Sequence, residues 1–270
     1  MFVDDEAYDV LYLGTSRTFQ NIDVQICDSI TGRKNYNLGM GGAGGFEILS
    51  VFKAFLQVHP TPKNVVLNFD RNILDTLRGF HNPIPYFNHL NNDEVNKTLK
   101  EKGYPVWFYK NVPFTRVVEF NDDTRNNCIR GLLGKKDSHN KGYHGFLPNY
   151  EKIGKFDTVY KTKTMIGHSK GNFRYVDSIV EICQKQGINL IFVVSPVYKK
   201  HFSKRYLDYD LIMGKVKTEY NQGKGIPILF FDTLPLNFNK SYFADNIHLN
   251  RIGTTQFSIV LSQKIMEVLK

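Results

Sequence analysis

Strands that alternate with helices along this chain predict an α/β protein: a three-layer α/β/α sandwich with a central parallel sheet of about five strands. Two observations support this fold class. Short apolar runs that stop at turn residues recur along the chain, and segments with apolar residues at helical spacing lie between them. The chain has 270 residues, of which 41% are apolar, and this is enough to bury a sizeable core.

The first strand is the apolar run that stops at Gly14, and four later runs of similar length follow it. The predicted strands are Val10–Leu13, Lys34–Leu38, Asn64–Phe69, Ile188–Val194 and Ile226–Phe231. The predicted helices cover 48–56, which ends before His59-Pro60, then 175–186, 207–220 and 252–269. In a parallel sheet of this kind, reactive groups gather outside the carboxyl ends of the strands.

Residues 73–165 interrupt the alternation and are rich in Asn, Lys, Tyr and Phe. A loop of this length inside a compact domain is usually an inserted subdomain. We therefore predict one domain over 1–270 that carries an inserted cap at about 73–165, part of which borders the reactive edge of the sheet. The rings of Tyr104, Trp107, Phe108 and Tyr109 either form a small core of the insertion or stack on a sugar substrate.

The formal net charge is +9, but the basic residues are scattered and form only short doublets such as Lys135-Lys136. This distribution argues against a nucleic-acid partner. No apolar stretch approaches the ~20 residues of a membrane span. The acidic start of the chain lacks the regions of a signal peptide, so the sequence as it reads predicts a cytoplasmic protein, or an extracytoplasmic one if an N-terminal anchor or signal has been removed.

Cysteine and histidine spacing gives no sign of a metal site or a disulfide framework. Cys27, Cys128 and Cys183 are far apart and odd in number, so we expect three reduced thiols in or near the core. His139 and His144 lie in a Gly- and Asn-rich segment and are expected at the surface. We therefore expect no metal and no cofactor.

Ser16 is the candidate nucleophile. It lies two residues after Gly14, at the end of the first strand, where a sharp turn exposes a side chain at the sheet edge. A serine hydroxyl needs an imidazole to accept its proton and a carboxylate to orient that imidazole. Asp245 and His248, three residues apart before the last helix, supply both groups from one loop. An ordinary turn serine and a surface histidine are the alternatives for residues of these types.

An acyl-transfer site also needs hydrogen-bond donors for the oxyanion. The glycine loop Gly39–Gly45, which contains Gly42, and Asn72 after the third strand supply candidate donors. Taken in chain order, the serine, the glycine loop, the asparagine and the Asp-x-x-His resemble the SGNH (GDSL-like) hydrolase superfamily. Ser16 matches its block-one serine, Gly42 the second glycine of block two, Asn72 the block-three asparagine, and Asp245 with His248 block five.

The resemblance implies a flavodoxin-like SGNH fold and a serine esterase that needs no cofactor. Its substrate would be a small-molecule or carbohydrate ester, with an acyl group such as acetyl either removed to water or transferred to a sugar hydroxyl. The start and end motifs look most like the branch of cell-envelope and exopolysaccharide acylation proteins. The sequence departs from the family at Thr15, which replaces the Asp of Gly-Asp-Ser, and in block three, where Asn68 is an alternative to Asn72.

Arg17 follows the nucleophile directly. Its guanidinium is expected either to hold the serine turn by pairing with a carboxylate such as Asp70 or Asp23, or to bind an anionic group of the substrate. Two other functions remain open. An SGNH-like scaffold could bind a glycan or a protein partner without turnover. The G-x-G-x-x-G at Gly39–Gly44, with Asp70 ending the next strand, imitates a dinucleotide site, although the strand before it is too polar for one.

Overall fold

The computed structural model describes residues 6–74, 80–81, 83–119, 125–126, 129, 133, 143–146, 172–198 and 209–269. The predicted fold class is confirmed within these residues. A parallel sheet is formed by β1 (Val10–Gly14), β2 (Asn35–Gly39), β3 (Asn64–Asn68), β4 (Asn189–Val194) and β5 (Ile228–Phe230) in the spatial order β2-β1-β3-β4-β5. Every predicted strand is present, and β5 is shorter than expected because pairing with β4 covers only three residues.

The helices fill the segments between the strands. In chain order they are α1 (Ser16–Phe19), α2 (Val24–Thr31), α3 (Gly45–Val58), α4 (Ile84–Phe87), α5 (Asp93–Glu101), α6 (Val106–Asn111), α7 (Arg174–Gln186), α8 (Tyr209–Lys215) and α9 (Arg251–Val268). The helix predicted from residue 207 is α-helical only to Lys215 and continues as a π-helix over Val216–Gln222. Short 3₁₀ turns cover Arg71–Leu74, Thr115–Glu119, Pro235–Phe238 and Lys240–Tyr242.

Side chains alternate between the two faces of each strand, and both faces of this sheet are buried. Leu11 and Leu13 of β1 point into a core shared with α3 and α7. Val10 and Tyr12 point into the opposite core, which is shared with α2 and α9. One helical layer therefore covers each face of the sheet, which is the three-layer arrangement that the alternating pattern predicts.

The strand order places a topological switch between β1 and β3, because the chain moves to one side of β1 for β2 and to the other side for β3. Loops that leave such a switch point diverge and open a crevice at the carboxyl edge. Ser16 follows β1, and Asp70 and Asn72 follow β3. The candidate residues from distant parts of the chain therefore leave adjacent strands at the same edge.

The segment after β3 contributes α4, α5 and α6 within residues 83–111. Tyr109 is 3% exposed and packs against Phe87 with ring centroids 5.2 Å apart, whereas Trp107 is 69% exposed. Tyr109 therefore belongs to the core that Leu11 and Leu13 share with α3 and α7, rather than to a separate core of the insertion, and Trp107 does not. Most of the rest of the predicted insertion, from 120 to 165, lies outside the described residues.

His144 corrects one expectation, because it is half-buried and stacks on Tyr143 with ring centroids 4.2 Å apart. Cys27 and Cys183 are free and buried, whereas Cys128 and His139 lie outside the described residues. Across the part of the chain that the structure describes, none of the helices combines the length and the apolar character that a membrane crossing requires.

Candidate active site

The serine turn is built by Gly14 and Thr15. Gly14 has φ +151°, and a Cβ at this position would lie 2.1 Å from Oγ1 of Thr18, so only glycine lets the chain leave β1 in this direction. Thr15 is the N-cap of α1, and its hydroxyl accepts a hydrogen bond from the backbone N–H of Arg17. Ser16 is thereby held at the first turn of α1, half-buried at the sheet edge.

The loop before α9 shapes the environment of His248. One carboxylate oxygen of Asp245 accepts the backbone N–H groups of Ile247 and His248, each at 2.8 Å. Its other oxygen lies 2.6 Å from Nδ1 of His248. The N–H of Ala244 donates to the His248 carbonyl at 2.9 Å and closes the loop. The three-residue spacing of Asp245 and His248 thus lets a single carboxylate order both the backbone and the ring.

The structure brings His248 and Ser16 together across 232 residues of sequence. Nε2 of His248 lies 2.7 Å from Oγ of Ser16, which is within the distance that proton transfer between a nucleophile and a base requires. Since Nδ1 faces a carboxylate, the neutral ring carries its proton there and presents Nε2 as an acceptor to the serine hydroxyl.

Electrostatics keep Asp245 ionised. Burial acts to raise the pKa of this carboxyl, but the hydrogen bond from the His248 ring, the charge that this ring carries when it is protonated, and the two backbone N–H donors hold the pKa below its usual value. An ionised Asp245 can stabilise an imidazolium at His248. The three side chains can therefore remove a proton from Ser16 and hold it while a bond to serine forms.

Asp70 connects the serine turn to the loop after β3. One of its carboxylate oxygens accepts a hydrogen bond from the Thr15 hydroxyl, and the other accepts the backbone N–H of Asn72 at 2.7 Å. Thr15, which stands where the SGNH motif that the sequence resembles has aspartate, is thus itself bonded to a carboxylate from the loop after the neighbouring strand. The sequence suggested Asp70 as a partner of Arg17 or as part of a dinucleotide site, but not as a partner of Thr15. That contact depends on the pairing of β1 with β3, which no local sequence pattern shows.

The two candidate block-three asparagines have different surroundings. Asn68 is 1% exposed, and its Oδ1 accepts a hydrogen bond from the Ser195 hydroxyl at 2.9 Å. Its amide nitrogen is buried and has no hydrogen-bond partner among the described residues. Asn72 is half-buried in the 3₁₀ turn at the reactive edge. Ser195, which follows β4, is a neighbour of the site that sequence analysis did not select.

Gly42 lies in the loop after β2 with φ +71°. The imidazole of His81 covers it so closely that a Cβ on Gly42 would lie 2.3 Å from Nε2 of His81. The carboxylate of the buried Glu47 fastens this arrangement, since it accepts the N–H of Gly44 and that of His81, each at 3.1 Å. His81 therefore brings the predicted insertion to the glycine loop, although its sequence context carried no signal of this contact.

Arg17 is 8% exposed and turns toward the end of β4. Its guanidinium donates to the backbone carbonyls of Ser195 at 2.5 Å and Pro196 at 3.3 Å. The predicted carboxylate partners were wrong, because within the described residues neither Asp70 nor Asp23 forms an ion pair with Arg17, whose partners are backbone carbonyls instead. A buried guanidinium that binds carbonyls of a neighbouring loop holds the serine helix against that loop.

The glycine loop does not have the setting of a dinucleotide site. It follows β2, which is an edge strand of the sheet. The amide of Asn37 in β2 donates to the carbonyls of Thr18 and Ile22 at 2.8 and 2.9 Å, so the polar residue of this strand supports the serine segment. Within the described residues there is no cluster of three His, Cys, Asp or Glu side chains that could hold a metal ion.

No model of a known protein family matches this chain, and no curated protein matches it. Solved structures do match. A protein named as an acylhydrolase from Bacteroides fragilis NCTC 9343 is 15% identical, with a TM-score of 0.47 over 97% of this chain and 88% of that one. A GDSL-like lipase from Bacteroides thetaiotaomicron VPI-5482 is 11% identical, with a TM-score of 0.46 over 96% of this chain and 88% of that one.

A protein named as a lipolytic protein of the G-D-S-L family, from Desulfitobacterium hafniense DCB-2, is 12% identical, with a TM-score of 0.49 over 94% of this chain and 97% of that one. Likenesses this distant say nothing about the reaction of this chain. Over nearly its whole length, the chain is similar to structures named as an acylhydrolase, a GDSL-like lipase and a lipolytic protein of the G-D-S-L family.

Proposed function

We propose that this chain is a serine-dependent carboxylic ester hydrolase of the SGNH type. The observation that carries the proposal is the continuous hydrogen-bonded row from Ser16 through His248 to Asp245, with separations of 2.7 and 2.6 Å. Each neighbouring pair in this row is a donor and an acceptor, in the order that activation of a serine requires.

In the proposed reaction, His248 accepts the Ser16 proton as Oγ forms a bond to the ester carbonyl carbon. The carbonyl oxygen takes up the electron pair and is stabilised by the N–H groups of Ser16 and Gly42 and the side-chain amide of Asn72. The intermediate collapses when His248 gives the proton to the leaving alcohol, and an acyl-serine remains. A water molecule, or a sugar hydroxyl, then attacks the acyl carbon with His248 again as the base, which restores Ser16.

We propose an acyl ester on a carbohydrate, such as an acetylated sugar, as the substrate class. The family resemblance suggests this class, and the structure is compatible with it in one respect. His81 lies against the glycine loop, so the segment after β3 contributes polar and aromatic surface beside the site. The same surface would serve the second candidate function, the binding of a glycan or a protein partner without turnover, which the Thr15 substitution in the family motif keeps open.

A fluorophosphonate probe separates these functions, because it labels only an activated serine. We expect the wild-type protein to label and Ser16→Ala to remain unlabelled. Ser29→Ala is the matched control, since Ser29 is an exposed serine in α2 whose hydroxyl donates to the carbonyl of Ile26 one helical turn away, and this variant should label like the wild type. Absence of labelling in the folded wild-type protein would refute the hydrolase and favour the binding function.

Turnover is measured next, with p-nitrophenyl acetate and a panel of acetylated sugars. Loss of a triad residue typically lowers kcat by roughly 10⁴- to 10⁶-fold, and we expect Ser16→Ala and His248→Ala to fall in this range. Release of acetate reports hydrolysis, and transfer of a labelled acetyl group to an added sugar reports acyl transfer. If the protein hydrolyses only simple esters, the proposed esterase activity would stand and the proposed carbohydrate substrate would be refuted.

A further inference from the structure

The side chain of Asn21 joins the serine segment to the histidine loop. Asn21 lies between α1 and α2 and is fully buried. Its Oδ1 accepts the backbone N–H of Leu249 at 3.0 Å, and its amide nitrogen donates to the carbonyl of Ile247 at 3.4 Å. These two residues flank His248. One amide thus holds the backbone on both sides of the proposed base.

The segment that carries Asn21 is itself firmly placed. The amide of Asn37 in β2 binds the carbonyls of Thr18 and Ile22, one on each side of Asn21 along the chain. Gln20 donates its N–H to the carbonyl of Ser16 at 2.9 Å and so ties this segment to the nucleophile. Asn21 therefore extends from a base that is fixed to the sheet and to Ser16.

Other contacts near the loop have different partners. The carboxylate of Asp245 shapes the loop from within. The Thr254 hydroxyl of α9 donates to the Gln20 carbonyl, and the N–H of Asp23 donates to the Ser258 hydroxyl of α9. These two bonds position the helix that follows the loop. The loop is also held from the β4 side, where the N–H of Tyr198 donates to the Asn246 carbonyl at 3.1 Å. The hydrogen bonds of Asn21 connect the serine segment directly to the backbone on both sides of His248.

We propose that Asn21 is a positioning residue that sets the separation of Oγ of Ser16 from Nε2 of His248. This inference rests on the proposed function. Proton transfer from serine to histidine depends steeply on that separation, and a misplacement of about 1 Å can cost on the order of 100-fold in rate. A backbone tether on both sides of His248 limits the drift of the ring away from the serine.

The test compares Asn21→Ala with a matched control, Asn92→Ala. Asn92 is also a buried asparagine whose amide bridges two segments, since it donates to the Ala54 carbonyl at 3.0 Å and accepts the Val95 N–H at 3.1 Å. We expect Asn21→Ala to slow fluorophosphonate labelling and to lower kcat by about 10- to 100-fold with KM nearly unchanged. Asn92→Ala, at a similar loss of thermal stability, should leave both rates within about twofold of the wild type.

Equal rates for Asn21→Ala and wild type would overturn the inference, and so would an equal loss in Asn92→Ala. If Asn21→Ala does not fold, Asn21→Asp replaces it, because this variant keeps the acceptor for Leu249 but places a carboxylate oxygen against the Ile247 carbonyl. Its labelling should be slowed, and a wild-type rate would contradict the tether.

Hydrogen exchange of the backbone amides of residues 244–250 provides a readout that does not depend on catalytic activity. Exchange in this loop should rise in Asn21→Ala and stay at the wild-type level in Asn92→Ala. A wild-type protein that never labels would refute the proposed function. In that case the exchange measurement would still decide whether Asn21 holds the loop, and unchanged exchange would overturn the tether.

Discussion

The hydroxyl of Thr15 donates a hydrogen bond to a carboxylate oxygen of Asp70, so the residue before the proposed nucleophile is tied to the loop that leaves the adjacent strand. The other oxygen of Asp70 holds the backbone N–H of Asn72 at 2.7 Å. One carboxylate thus organises two parts of the site. In the SGNH motif that this sequence resembles, the aspartate stands at position 15 instead. Here the hydroxyl follows β1 and the carboxylate follows the neighbouring strand β3.

This pair can be exchanged in a double mutant. Thr15→Asp alone should sharply reduce esterase activity, because two carboxylates would face each other where a hydroxyl and a carboxylate now meet. Thr15→Asp combined with Asp70→Thr restores a hydroxyl–carboxylate pair in the opposite order, and we expect kcat to recover at least tenfold relative to the single variant. A double mutant no more active than Thr15→Asp would show that the pair does not position the serine.

The oxyanion assignment predicts different results for the two asparagines of block three. Loss of one oxyanion donor typically costs about 100- to 1,000-fold in kcat, so Asn72→Ala should lose activity on this scale and remain folded. Asn68→Ala should instead lower the melting temperature, since the buried hydroxyl of Ser195 loses its acceptor. Kinetics and thermal denaturation of both variants provide the comparison. A folded but inactive Asn68→Ala beside an active Asn72→Ala would move the donor role to Asn68.

Gly42 is predicted to be intolerant of any side chain. Gly42→Ala would place a Cβ 2.3 Å from Nε2 of His81 at φ +71°, so both strain and a clash are expected. The variant should lose about 1–3 kcal/mol in free energy of unfolding and most of its activity. The double variant Gly42→Ala/His81→Ala removes the clash with the imidazole but not the backbone strain at position 42. It should therefore recover part of the lost stability and part of the lost activity. Gly41→Ala is the control, because a Cβ there meets no atom of the described residues within 4 Å, and the variant should resemble the wild type.

Arg17 is predicted to act by holding the serine helix. Its guanidinium binds the carbonyls of Ser195 and Pro196 on the loop after β4. Both hydrogen bonds come from one nitrogen, Nη2, and Arg17→Lys keeps the charge but replaces the planar guanidinium by a flexible ammonium that does not place a donor at the same point. We expect a lower melting temperature and an equal fall in kcat for neutral and anionic esters. An unchanged melting temperature, with KM raised only for anionic esters, would instead assign Arg17 to substrate binding.

The buried thiols predict how stability depends on pH. Burial raises the pKa of Cys27 to about 11 and that of Cys183 to about 12, whereas a thiol of the unfolded chain titrates near about 8.5. The unfolded chain therefore loses protons that the folded chain keeps. These two thiols contribute stability that is complete below pH ~8.5 and declines as the pH rises through this interval.

A thiol reagent at pH 8 provides the direct check. In a Cys128→Ser variant, which leaves only Cys27 and Cys183, we expect no rapid reaction in the folded protein and reaction of both thiols after denaturation. A thiol that reacts rapidly in the folded variant would contradict the burial of that cysteine.

Local patterns were enough to locate the elements of the sheet. The apolar run at Val10–Leu13 and the glycine that ends it give the first strand to within one residue, because strands buried on both faces are usually near-continuous apolar runs. The π-helical turn at Val216–Gln222 was not predictable, since the same apolar spacing suits an α-helix. The motif Asp245-x-x-His248 was recognisable because both residues act from a single loop.

The sequence by itself determined the α/β fold class, the candidate serine at the end of β1 and the candidate pair before α9. Only the tertiary structure decided which residues support them. Asp70 reaches Thr15 because β3 pairs with β1. His81 covers Gly42, although the sequence around His81 has no regular periodicity that would predict its position. Asn21 contacts the histidine loop, which lies more than 200 residues further along the chain. Contacts of this kind depend on the order of parallel strands. That order is set by packing over the whole chain, so no local stretch of sequence encodes it.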